Sequence, residues 1–150
     1  MQTFGAAGAG FLLAVLWFDL MFDIQVWRRE GSEVPEPVLA SISAYYKRVT
    51  TDARPMNRLV SAVMVVTIAS TLAEVLRHGG AHWAAWVSLA LVISAVVLAG
   101  ARVVPRAIRL GTRRDPLPVQ SALSRSIFRD HLACLAAVAS LLVVQLAWAR

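Results

Sequence analysis

Four apolar runs, each about as long as a bilayer is thick, constrain this chain more than any other feature. They cover residues 4–26, 59–76, 83–104 and 132–149. A helix rises ~1.5 Å per residue, so a run of ~20 residues crosses the ~30 Å hydrocarbon layer. Backbone N–H and C=O groups cannot go unpaired in lipid, which leaves the helix as the form such a run takes. The sequence therefore predicts an all-α protein, an integral membrane four-helix antiparallel bundle forming a single domain over residues 1–150. Composition agrees. The hydrophobic fraction is 58% and the mean hydropathy +0.63, against ~45–50% apolar residues in a soluble domain.

The charges give the bundle a direction. Of 15 Lys and Arg residues, Arg28, Arg29, Lys47, Arg48, Arg54 and Arg58 lie in the first long loop. Arg102, Arg106, Arg109, Arg113, Arg114, Arg125 and Arg129 lie in or beside the second, leaving only Arg77 and Arg150. By the positive-inside rule both long loops are cytoplasmic and both termini outside, in an inner membrane of bacterial type. Trp83, Trp86 and Trp148 then mark the outer interface and Trp27 the inner one. The net charge of +6 is read as headgroup contact rather than nucleic-acid binding, because no zinc spacing or helix-turn-helix pattern accompanies it. The lipid bilayer is the expected partner. Met1-Gln2-Thr3 lacks the positive start of a cleavable signal peptide. The single Cys134 excludes a disulfide within the chain and reads as a helix-packing residue.

Each cytoplasmic loop is expected to carry a short amphipathic helix. In the first, Pro35 and Pro37 break from the first span, and Leu39, Ile42, Tyr46 and Val49 recur at helical spacing, which predicts a helix lying on the membrane surface. Asn57 or Thr51 offers a cap for the second span. In the second loop, the third span continues to Leu110 with Gly111 as its C-terminal cap. Residues 120–129 read as helical and run toward the fourth span. The two halves share a layout, with a faint echo between residues 41–48 and 121–129. Ala6, Gly10 and Ala14, and Ala133 and Ala137, give close-packing faces, used within one chain or between copies in a homo-oligomer.

The chemistry centres on Asp19 and Asp23. Four residues apart, they share one face of the first helix, one to two turns inside its cytoplasmic end. Carboxylates at that depth cost a few kcal/mol unless partnered, so both are expected to face the bundle. Asp19, Asp23, His131 and Arg129 are the candidate catalytic groups. Tyr45, Tyr46, Asn57, Arg58, Arg102 and Trp17 are the candidate substrate-binding groups. Two readings compete. In one, Asp–Arg pairs simply lock the helices in register. In the other, two like charges prepare an acid–base site, with His131 titrating near neutrality. A divalent metal between Asp19 and Asp23 and proton or ion coupling are the remaining chemistries; no cofactor is expected. His78 and His82 straddle Gly79-Gly80 and read as an outer loop. Glu74 is expected to pair with Arg77 or His78, and Gln145 with a neighbouring helix.

A single helix, a long polar segment, Asn57 at the second helix, and Arg129 and His131 at the fourth make a plan that resembles the anthrone-oxygenase-like family of small four-helix membrane proteins. The resemblance covers the chain in outline and implies cofactor-free oxidation, or a related reaction, of an aromatic or polyketide-like compound at the membrane. The residues and the resemblance converge on an expectation: a membrane enzyme, such as a cofactor-independent oxygenase, isomerase or cyclase, acting on a lipophilic small molecule. The alternative is a transporter, ion pathway or assembly subunit. A blind pocket favours the enzyme, whereas a polar path from the Asp pair to Glu74 and Gln145 favours transport.

Overall fold

The computed structural model describes residues 2–27, 33–77 and 82–148, and among these there is no strand. Helix α1 (Gln2–Asp23) ends in a 3₁₀ turn at Ile24–Val26. Helix α2 (Glu36–Lys47) starts just after Pro35, with Pro37 in its first turn, where a missing N–H is harmless. It runs into a π-helical turn at Arg48–Asp52. Helix α3 covers Arg54–Arg77 and α4 Trp83–Leu98. A second π turn, Ala99–Val103, joins α4 to α5 (Val104–Gly111). Pro105 supplies a reason, since it has no N–H to close the normal helical bond and the chain widens by one turn while staying helical. Helix α6 (Leu117–Ala147) is 31 residues long. Four stretches are long and apolar enough to cross a membrane: Thr3–Val26, Pro55–Arg77, Trp83–Gly111 and Leu117–Ala147.

Contacts at both ends show that neighbouring helices run antiparallel. Helix α1 meets α6 through Gly5 and Gln145 at one end and Asp23 and His131 at the other. Helix α4 and the π turn that continues it meet α6 and its C-terminal cap through Trp83 and Trp148, then through Arg102 and Asp130. Helix α3 packs on α1 and α4, but unevenly. Residues 55–66 include no buried side chain, whereas Thr67, Ser70, Thr71, Glu74 and Val75 are buried. The first half of α3 meets the bundle only through half-buried side chains such as Val60, Val63 and Met64.

Four expectations are corrected by this arrangement. The second loop has no surface helix of its own, because α5 prolongs α4 and residues 117–129 are the opening turns of α6. The stripe on α2 faces protein. Leu39, Ile42 and Tyr46 are buried against Val26, Val34, Val103, Leu110, Ile127 and Phe128, so α2 closes one end of the bundle. Gly111 is the last helical residue rather than a left-handed cap, and the positive φ belongs to Arg113. Gly111 serves close approach instead: a Cβ there would stand 3.1 Å from the Lys47 backbone nitrogen. Ala53, rather than Thr51 or Asn57, precedes the first turn of α3. Arg28, Arg29, Gly31 and His78 lie outside the described residues.

Candidate functional site

Helix α1 carries Asp19 and Asp23 on the side that meets α2 and α6. The tyrosines of α2 come down on them. Tyr45 Oη donates to Asp19 Oδ1 at 2.7 Å, and Tyr46 Oη donates to Asp23 Oδ1 at 2.5 Å. His131 of α6 completes the cluster, with Nδ1 2.6 Å from Asp23 Oδ2 and Nε2 3.8 Å from Asp19 Oδ2. An ionised carboxylate only accepts hydrogen bonds, so the network assigns the proton to Nδ1. That leaves Nε2 on the side of Asp19. The Asp23 side chain is fully buried and that of Asp19 is 16% exposed. Asp23 is therefore the anchor and Asp19 the accessible member. Burial, and then the two carboxylates, push both phenols above the usual tyrosine value, so both remain donors.

Asp19, Tyr45, Tyr46 and His131 form one end of a cavity of about 340 Å³. The rest of its wall is mostly apolar: Leu12, Val15, Leu16, Val60, Val92, Ala95, Val96 and Val138 among others, with Asn57, Thr50, Cys134 and the thioethers of Met56 and Met64 as the other groups bearing heteroatoms in their side chains. Phe18, Met56 and Val104 are at once wall residues and exposed, so the opening lies beside the first half of α3. Both π turns contribute, through Val49 and Thr50 and through Ala99 and Val103. Widened turns recur at functional sites.

The other expected site residues are placed as follows. Asn57 is in the wall, and its Nδ2 donates to Thr50 O at 3.4 Å. Arg102 and Arg106 go to Asp130, at 3.1 and 2.6 Å, rather than to the Asp19–Asp23 pair. Arg58, Arg129 and Trp17 are exposed and outside the cavity wall. Trp17 precedes Asp19 by two residues and Arg129 precedes His131 by two; two residues turn a helix by ~200°, which puts each on the far side. Glu74 accepts from Gln145 Nε2 at 3.0 Å, not from Arg77. His82 is exposed at the head of α4. Phe22, stacked on Tyr45 at 4.0 Å and 10°, was not singled out from sequence, and Cys134, one turn beyond His131, was read only as a packing residue. Their helical spacing from Asp19 and His131 was the available signal.

Both oxygens of Asp23 and one of Asp19 bond protein donors, so the pair presents Asp19 Oδ2 alone. Among the described residues no group of three or more His, Cys, Asp or Glu side chains is placed to hold a metal. Fold and site thus define a helical protein with four candidate membrane spans and an apolar cavity ending in an acid–base cluster. Compared with protein-family models, curated proteins and solved structures, the chain matches none.

Proposed function

We propose that this chain is a multi-pass protein of a bacterial-type inner membrane, and that it is an enzyme applying acid–base chemistry to a lipophilic small molecule. One observation carries the reading. A cavity with an apolar wall, opening past exposed apolar residues, ends on Asp19 and on a His131 whose other nitrogen is held by a buried carboxylate. Exposed Phe4, Phe18, Met21, Leu72, Leu76, Ile93 and Leu146 form the surface that lipid would cover. The ligand would enter sideways from the bilayer. Along α6 and α1, Val138, Leu141 and Leu12 separate the cluster from Gln145 and Glu74, and all three are buried in an apolar core. That favours a blind site over a through-path.

In this reading His131 Nε2 accepts a proton from an acidic O–H or activated C–H of the ligand. The imidazolium formed is bracketed by Asp23 at Nδ1 and Asp19 near Nε2, with Tyr46 and Tyr45 steadying the two carboxylates. Return of the proton at another ligand atom gives isomerisation or assists ring closure. Addition of dioxygen to the deprotonated ligand carbon, with the His131 proton passing to the peroxide and loss of water to leave a carbonyl, gives the cofactor-free oxygenation that the anthrone-oxygenase resemblance implies. Positioned acid–base groups contribute about 10²–10⁴-fold.

Native mass spectrometry of gently extracted protein tests this. Wild type should retain a lipophilic small molecule. His131→Gln and Asp19→Asn should fold yet fail to convert it. Asp23→Asn, which disturbs the His131 tautomer, should lower turnover by about 10²–10⁴-fold with little change in retention. An empty wild type, with all three variants altering only melting temperature, would overturn the proposal in favour of a purely structural cluster.

A further inference from the structure

The half of the bundle away from the cavity holds a second polar pair, Glu74 of α3 with Gln145 of α6, and a third buried polar side chain, Ser88 of α4. Glu74 of α3, Gln145 of α6 and Ser88 of α4 are 5%, 4% and 1% exposed. Glu74 Oε2 accepts from Gln145 Nε2 at 3.0 Å. Three atoms are then left without a hydrogen-bond partner in the described structure: Glu74 Oε1, Gln145 Oε1 and Ser88 Oγ. Two of them can only accept, and the third has lone pairs to offer.

The nearby hydroxyls add acceptors, not donors. Thr67, Ser70 and Thr71 each spend their proton on a carbonyl of their own helix. Among the described residues no Lys, Arg or His is paired with Glu74. Gly5 lets α1 come close to the amide oxygen, since a Cβ there would stand 3.1 Å from Gln145 Oε1. A buried carboxylate needs a compensating charge, and open oxygens need a partner with no lone pairs of its own. We propose that Glu74, Gln145 and Ser88 bind a small monovalent cation. Carboxylate, amide and hydroxyl oxygens are hard ligands suited to an alkali ion, and one carboxylate balances one charge.

The site is separate from the acid–base cavity, and its test does not depend on the cavity's chemistry. Protein in lipid nanodiscs is melted in sodium, potassium or N-methylglucamine chloride at equal ionic strength. At ten times its Kd, the preferred alkali ion should raise the melting temperature by about 3–5 °C over N-methylglucamine. Glu74→Gln should abolish that difference and Ser88→Ala should reduce it. Asp19→Asn, which disables the cavity, should keep it. Equal melting in all three salts, a response that survives Glu74→Gln, or a response to pH alone would overturn the site. Should Glu74→Gln fail to fold, equilibrium binding of radioactive sodium and rubidium to wild type decides: saturable binding upholds the site and its absence sinks it.

Discussion

Asp19 and Asp23 show how far a side chain's depth can be read from one dimension. Their spacing placed them on one face and the cost of burial pointed that face inward; both lie against the bundle. Which groups answer them was not legible in the same way. Seven arginines stand in or near the second loop, yet Arg102 and Arg106 go to Asp130, the carboxylate on the α6 turn they pack against. The two tyrosines of the chain, both in the cluster, supply a direct probe. Their native values are raised by burial and carboxylates. A raised native value stabilises the fold fully below the unfolded tyrosine value of ~10 and loses that contribution as pH rises above it. Absorbance at 295 nm should therefore stay flat through ~pH 10 while the fold persists, then rise together with loss of helicity. A reversible rise near pH 10 in folded protein would contradict this.

At the scale of elements, the four long helices were legible because apolar length leaves little alternative. The second begins at Arg54 instead of 59, since Pro55 tolerates the first turn, and the fourth begins fifteen residues early. The periodicity of α2 was legible as well, but periodicity says which face is apolar and not what covers it. Ser43, outside the apolar stripe, is nonetheless 2% exposed and bonds Leu39 O. Nor does the sequence show how closely helices approach. At Gly8 a Cβ would stand 2.1 Å from Thr67 Oγ1, a hydroxyl fixed by its bond to Val63 O. Gly8→Ala should destabilise by about 1–3 kcal/mol through overpacking. Combining it with Thr67→Ala should recover much of the loss, as thermal or denaturant unfolding in detergent would show. An additive double variant would mean that the contact is not shared.

For the whole molecule, the orientation inferred from the arginine asymmetry has its own check. Reporter fusions at Arg150 should read as outside and fusions at Arg113 as cytoplasmic; the reverse would move the acid–base end to the outer leaflet. The first half of α3 matters at this scale in another way. A site enclosed on every side measures its guest end to end. One with a wall standing open onto the hydrocarbon measures only the part that reaches the interior. On the proposed function, within a homologous series bearing one reactive head, lengthening the alkyl tail should therefore leave turnover per bound molecule unchanged, because the extra carbons would trail into the membrane. Adding a methyl group at the head should abolish turnover. Selectivity would reside in a few atoms of the guest and indifference in all the others.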